Sequence, residues 1–368
     1  MAHIFETRLN RFRKFLHNEA IDVAFVTSPT NICYYTGFYS DPHERFMALA
    51  VDNKRERVTL FVPALDVAAA EQAARVDGII PVADTDDPYD KLRAAVAGDV
   101  RLYGVEKDIV SLAQYEALSG VFSAASYVDI APFIAQQRLK KAPQEIAFVR
   151  EAVATIEQVL LRGLERFTVG MSELELTAEF EYQMKVLGAD GPAFATTVLS
   201  GENSALPHGS PGQRRIQSGD FLLFDMGVFK DGYCSDISRT FIVGEGTARQ
   251  EEIYETVRAA NERAIAAVQV GQPIGSLDRA AREYIEECGY GKYFNHRVGH
   301  GLGLEVHEAP SIHGENELAM MPGLLFTIEP GIYVPGLGGV RIEDDVYLGA
   351  DGEVEVLTTF PKNLQRLG

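Results

Sequence analysis

Two aspartates in one short stretch, FDMGVFKDGYCSDISRTF, offer the first chemistry in this chain. Asp225 lies in the apolar run FLLFDMGV and Asp236 in YCSDISRTF, with Lys230-Asp231-Gly232 between them. Asp-Gly between two strand-like runs predicts a hairpin. A turn centred on Lys230-Asp231 sets Asp225 opposite Asp236, whereas one centred on Asp231-Gly232 makes them diagonal neighbours. Either register puts both carboxylates on one face, roughly 5–8 Å apart. Two carboxylates on a mostly apolar hairpin are costly to bury, and a cation is the usual remedy. A solvated surface pair is the plain alternative.

The second half of the chain supplies three more ligand types. His300 lies in HRVGHGLGLEVHE, where flanking glycines let backbone pass close to a site. Glu329 ends the apolar run LLFTIE before Pro-Gly, and Glu343 follows Arg341 by two residues in GGVRIEDD. Each alone is unremarkable, since a lone histidine is more often structural and a strand-end glutamate solvated. Together, the four carboxylates carry four negative charges, which two divalent cations neutralise. Mixed oxygen and imidazole ligation suits Mn²⁺, Co²⁺ or Zn²⁺ better than thiolate-loving metals. Two such ions, roughly 3.5–4 Å apart and sharing a water, generate a hydroxide near neutral pH. His208, His296 and His307 fall in the same region and suit proton transfer or oxyanion stabilisation.

The elements that must position these groups fall into two domains, 1–132 and 133–368. Over the first, a helix at residues 6–19 precedes strands at IDVAFVTSP, RFMALAVD, RVTLFVPAL and VRLYGVE. Helices at DVAAAEQAARV, YDKLRAAVA and SLAQYEALSGVF alternate with or follow them, predicting a small α/β domain. Its charge-dense loop Ser40-Asp41-Pro42-His43-Glu44-Arg45 reads as a solvated turn on composition. Pro143 then opens a long helix, and Ser172 with Glu175 forms a capping box for a second. Strand-like TTVLSG and the aspartate hairpin follow. The pattern restarts with helices at 247–270 and 276–288 and strands in LLFTIEPGIYV and VRIEDDVYL. Residues 143–241 and 247–347 thus read as two α-α-β-β halves, an α+β whole with weak internal similarity.

Composition narrows the function class. With 34 basic against 53 acidic residues and a net charge of −19, nucleic acid and anionic membrane are excluded as main partners. No apolar run approaches the roughly 20 residues that span a bilayer, and the charged N-terminus lacks a signal peptide's apolar centre. Three well-separated cysteines without a CxxC fit a reducing cytoplasm better than a disulfide framework.

The spaced motifs DMGVFKDGYCSDISRT, HRVGHGLGLEVHE, TIEPGIY and GVRIEDD resemble those of the pita-bread metallopeptidases, which include methionine aminopeptidase, aminopeptidase P and prolidase. The resemblance covers nearly the whole chain. It implies a C-terminal pita-bread domain behind a smaller N-terminal α/β domain. The N-terminal domain, the spread histidines and the sequence RIED are most similar to the proline-specific branch, and SDPHER with Arg297 and Ser311 to bacterial Xaa-Pro dipeptidases. From that likeness, Asp225 is expected to hold one metal, His300 and Glu329 the other, with Asp236 and Glu343 bridging. Glu329 is the expected base for the bridging water. His208 and His307 are expected to hold the scissile carbonyl oxygen, His296 to line the proline pocket, and Arg341 to orient an aspartate ligand. Arg297 and Ser311 are expected to receive substrate, and Asp41, His43 and Arg45 to approach the site of a partner chain in a homodimer. The implied substrate is a small Xaa-Pro peptide. Rival readings are an aminopeptidase P, a creatinase-like or lyase enzyme on the same fold, and a scaffold that has lost activity.

Overall fold

The computed structural model describes residues 2–96 and 98–368. The chain divides into two compact units, Met1–Arg138 and Leu139–Gly368. The division falls a little after the expected 132/133, because the helix Ala131–Leu139 runs through that point. Among the described residues no helix is long and apolar enough to cross a membrane.

In the first unit, strands β1 (Val23–Val26), β2 (Ala48–Asp52), β3 (Arg57–Pro63), β4 (Gly78–Val82), β5 (Leu102–Val105) and β6 (Ser126–Asp129) form one sheet. Their order is β4-β3-β2-β1-β5-β6. The sheet is mixed: β2 runs antiparallel to β1 and β3, while β4, β5 and β6 pair in parallel. The linker between β2 and β3 is too short for a crossover helix, so that pair must be a hairpin. Helices α1 (Ala2–Asn18), α2 (Pro29–Thr36), α3 (Val67–Ala73), α4 (Pro88–Ala95), α5 (Leu112–Val121) and α6 (Ala131–Leu139) complete the unit.

The second unit repeats one plan twice. Helices α7 (Pro143–Arg166) and α8 (Glu173–Val186) precede β7 (Gly191–Pro192), β8 (Thr197–Ser200), β9 (Phe221–Met226), β10 (Val228–Lys230), β11 (Tyr233–Cys234) and β12 (Ile237–Val243). Helices α9 (Ala248–Ala266) and α10 (Gly275–Glu287) precede β13 (Gly299–Gly301), β14 (Glu308–Ile312), β15 (Leu325–Ile328), β16 (Gly331–Val334), β17 (Gly338–Arg341) and β18 (Asp344–Leu348), and β19 (Val354–Val356) and β20 (Arg366–Leu367) end the chain. The principal sheets are β20-β12-β9-β8 and β14-β13-β15-β18-β19. This is the pita-bread plan of the C-terminal domain, with the mixed α+β content expected. Pro143 sits at the start of α7, and Ser172 and Glu175 cap α8 reciprocally at 3.1 and 2.8 Å. Each half buries its own apolar layer, around Phe180, Phe224 and Phe241 in the first and Val257, Ile328 and Phe326 in the second.

The aspartate hairpin adopts the diagonal register. Lys230 pairs with Tyr233 and Asp225 with Ser238, so the turn is Asp231-Gly232. Both turn residues have positive φ, 51° and 84°, as a twisted two-residue hairpin requires.

Candidate metal centre

All five expected ligands line one cavity of about 400 Å³, together with His208, His296, His307, Arg297 and Arg341. Local breaks in pairing aim several of them. Asp236 sits between β11 and β12, Glu329 between β15 and β16, and Glu343 between β17 and β18. LLFTIEPGIYV and VRIEDDVYL are therefore each two strands in different sheets. Pro330, which has no N–H to continue a ladder, marks one break. At these breaks the backbone is tied instead across the site: Glu329 N–H donates to Val298 O at 2.7 Å and Glu343 N–H to Ser238 O at 3.1 Å. The glycines beside His300 serve the sheet. A Cβ on Gly299 would stand 2.0 Å from Thr327 O, and one on Gly301 2.1 Å from Ala309 O, so β13 fits between its neighbours only without side chains there.

Ligand atoms of Asp236, His300 and Glu343 lie within 4.8 Å of one another, all buried. His300 Nε2 is 3.5 Å from Glu329 Oε1 and 3.8 Å from Asp236 Oδ2. Its Nδ1 faces Gly301 O at 3.1 Å, so that nitrogen carries the proton and Nε2 turns its lone pair, like the carboxylate oxygens near it, toward a place for a cation. Burial, with a nearby His307, pulls His300 down to about 3, which keeps the ring neutral. Asp225 also turns to the cavity, with one oxygen accepting from Arg341 Nη2 at 2.5 Å.

These residues fit divalent cations. Asp236 Oδ1 is buried without a hydrogen-bond partner among the described residues. Burial and the neighbouring charge of Glu343 hold Asp236 far above the usual carboxylate range, and burial with Glu329 does the same to Glu343. Glu329 is pushed up to about 7 by burial, with Asp225 adding to it. Carboxylates arranged at such mutual cost want positive charge, and oxygen with one imidazole is a donor set for Mn²⁺, Co²⁺ or Zn²⁺.

A pH dependence of the chelated protein follows. Glu329 ionises at about 7 folded and near 4.5 unfolded, so the stability it contributes is complete below 4.5 and lost as pH rises through 7. His296 and His300, lowered to about 4 and 3, work in the opposite sense: their contribution is lost as pH falls through about 6.5, so they offset part of any change through Glu329 near that pH. Between pH 6.5 and 8 the metal-free chain should therefore lose about 1 kcal/mol through Glu329 alone. Taken relative to chelated Glu329→Gln, so that the histidines cancel, the urea midpoint of the chelated wild type should fall across that window, and added Mn²⁺ should abolish the fall.

The groups around the ligands interlock. Arg341 donates to Asp225, through Nε to Ser238 Oγ at 2.9 Å and through Nη1 to Tyr333 OH at 2.9 Å. Ser238 Oγ in turn donates to Glu343 Oε2 at 2.7 Å. His296 Nε2 meets Tyr333 OH at 3.0 Å, and burial holds this ring near 4. His307 stands edge-on to His300 with ring centroids 4.3 Å apart, its pKa lowered by burial and by Arg297. Arg297 reaches Ser311 Oγ at 3.0 Å. Ser238 and Tyr333 were given no role in the sequence, although each lies inside a quoted motif, DMGVFKDGYCSDISRT and TIEPGIY. Asp41, His43 and Arg45 belong to the first unit. There His43 N–H donates to Asp41, and Arg45 is held by Asp84 and Glu44, each at 2.9 Å.

Comparison with known proteins agrees with this geometry. Residues 147–350 match the model of metallopeptidase family M24, and residues 8–140 that of the creatinase/prolidase N-terminal domain. The Bacillus subtilis protein named "Putative dipeptidase YkvY" is 42% identical over 361 residues, covering 97% of this chain and 99% of its own. The solved Xaa-Pro dipeptidase from Bacillus anthracis is 33% identical with a TM-score of 0.91, covering 99% of this chain and 100% of its own. The prolidase from Pyrococcus furiosus is 36% identical with a TM-score of 0.86, covering 95% and 99%. With its acidic metal cavity on the doubled helix-and-strand plan, the chain belongs to metallopeptidase family M24.

Proposed function

We propose that the chain is an Xaa-Pro dipeptidase working with two divalent cations, most simply Mn²⁺, and acting as a homodimer in a reducing cytoplasm. The observation that carries this reading is the single cavity that gathers four carboxylates, His300 and three further histidines. Its solved and curated relatives named dipeptidase or prolidase support the substrate class. The three cysteines are far apart in the sequence and form no CxxC, which suits the compartment.

Asp225, Asp236, His300, Glu329 and Glu343 would hold the cations. When bound, these would polarise the scissile carbonyl and supply a water that ionises near neutral pH. Glu329, which lines the same cavity, is placed to take that water's proton. His208 and His307 line the same cavity and can donate hydrogen bonds to the oxygen on which charge develops. A prolyl nitrogen has no N–H and must gain a proton as it leaves, and Glu329 can return the one it took. Arg341 fixes Asp225 and Tyr333, and Tyr333 fixes the ring of His296 beside the bound side chain.

The solved X-Pro aminopeptidase from Thermotoga maritima, 32% identical with a TM-score of 0.86, keeps a second reading in view. Cleavage of Gly-Pro and Gly-Pro-Ala by the Mn²⁺-loaded chain decides. The dipeptidase reading requires Gly-Pro to be the better substrate by kcat/KM; preference for the tripeptide overturns it in favour of an aminopeptidase.

Dipeptide preference needs a cation for the free carboxylate. Arg341 is buried and engaged by Asp225, which leaves Arg297, and in a dimer the charged loop of Asp41, His43 and Arg45, whose pairs with Glu44 and Asp84 lie among exposed carboxylates that a substrate can replace. Arg297→Ala and Arg45→Ala should each lower kcat/KM for Gly-Pro roughly ten- to a hundredfold, the scale of one charge-assisted contact, and harm tripeptides less. Mixing Arg45→Ala chains with Asp236→Ala chains should restore part of the activity if the loop works in trans. An unchanged Arg45→Ala enzyme would reduce that loop to a solvated turn.

A further inference from the structure

His208 presents a problem of precision. It is exposed at the cavity rim, in the irregular segment between β8 and β9. An exposed loop histidine can assist a reaction only if something rigid fixes the loop's ends.

Glu173, the first residue of α8, is fully buried. Its Oε1 accepts from Ser200 N–H at 2.8 Å, Ser200 Oγ at 2.9 Å and Asn203 Nδ2 at 3.1 Å. Its Oε2 accepts from Asn203 Nδ2 at 3.2 Å and from Gly212 N–H at 3.0 Å. One carboxylate thus joins both ends of the segment that carries His208. The amides at the start of α8, which have no partner within the helix, take up the exit strand: Glu173 N–H donates to Arg214 O at 3.2 Å and Leu174 N–H to Gly212 O at 3.1 Å. Arg214 closes the ring by donating to Ser200 Oγ at 2.7 Å while paired with Asp220. Within the loop, Leu206 N–H donates to Asn203 O and Gly209 N–H to Leu206 O, passing the fixed position of Asn203 along to His208.

We infer that Glu173 is a positioning residue for catalysis, a buried carboxylate clamp that sets His208 against the metal cavity. The inference rests on the proposed role of His208 in hydrolysis. A full complement of acceptors is what the clamp requires. In Glu173→Gln one oxygen becomes an NH₂ group, which cannot accept. If the remaining oxygen keeps Ser200, the NH₂ faces the Gly212 N–H, and the far end of the loop is released. Glu173→Asp keeps both accepting oxygens on a shorter arm.

The test uses the Mn²⁺-loaded full chain, with Gly-Pro kinetics, bound-metal analysis and amide hydrogen exchange. Glu173→Gln should lower kcat about tenfold with KM and metal content near wild type, and exchange should quicken across 201–212 alone. Glu173→Asp should recover part of kcat. In a His208→Ala background, Glu173→Gln should cost nothing further, because the two act as one unit. Should Glu173→Gln fail to fold, Asn203→Ala, which removes the donor shared by both oxygens, should show the same pattern at about threefold. An equal loss in the His208→Ala background, or quickened exchange through the whole unit with kcat unchanged, would overturn the clamp. A wild-type chain inactive on Gly-Pro would refute the proposed function instead. In that case exchange alone decides: quickening confined to 201–212 upholds the clamp, and unchanged exchange overturns it.

Discussion

Asp236→Ala should abolish Gly-Pro hydrolysis, by about 10³-fold or more, and strip the protein of most of its bound metal. Asp236 is buried at the centre, as is Glu343. One of its oxygens lacks a partner among the described residues, and the other lies 3.8 Å from His300 Nε2. Its charge is opposed first by burial and then by Glu343, Asp225, Asp345 and Glu329. In the metal-free chain, alanine relieves that repulsion, so the chelated variant should be no less stable than chelated wild type. Added Mn²⁺ should then fail to raise its melting temperature. Loss of activity with an unfolded or weakened metal-free chain would point to a structural role for Asp236 and count against this assignment.

The second large effect concerns the histidines outside the ligand set. His208→Ala and His307→Ala should each lower kcat by about 10²–10³-fold while metal content stays near wild type, since the lost hydrogen bond forms mainly in the transition state. His307 lies edge-on to His300, close enough to act beside the ligand, and both His208 and His307 line the cavity. Metal analysis alongside kinetics separates the roles. If either substitution releases metal, that histidine is a ligand.

Much of the centre was legible because metal binding forces particular residue types into recognisable local settings. Asp225 and Asp236 flank an Asp-Gly turn, and turn chemistry limits the register to two choices that share a face. The choice between them was not legible, because pairing of Lys230 with Tyr233 depends on the sheet around the turn. The capping box of Ser172 and Glu175 and the start at Pro143 are local and read directly. In the first unit, β4 contains Pro81, which hides a strand from propensity; it is tolerated because β4 is an edge. Helix α2 is short and its caps, Ser28 and Gly37, were missed beside the stronger strand that precedes it.

The break at Glu329 was legible, since Pro-Gly ends the apolar run LLFTIE there, whereas VRIEDDVYL carries no turn residue and reads as one strand through Glu343. Only the junction of two sheets makes the chain turn there. Ser238, Tyr333 and Glu173 were invisible for a related reason: their partners lie far away in sequence, Glu343 for Ser238, His296 for Tyr333 and Gly212 for Glu173. Such hydrogen bonds leave no periodic or compositional trace.

Hydrolysis in this cavity is expected to require cations. The most direct measurement strips the purified chain with a chelator and titrates Mn²⁺ back while following Gly-Pro hydrolysis and bound metal together. Activity should be absent in the stripped protein and rise to a plateau at two equivalents per chain. Full activity in the stripped protein would contradict metal-dependent hydrolysis, and a plateau at one equivalent would contradict the paired-ion centre.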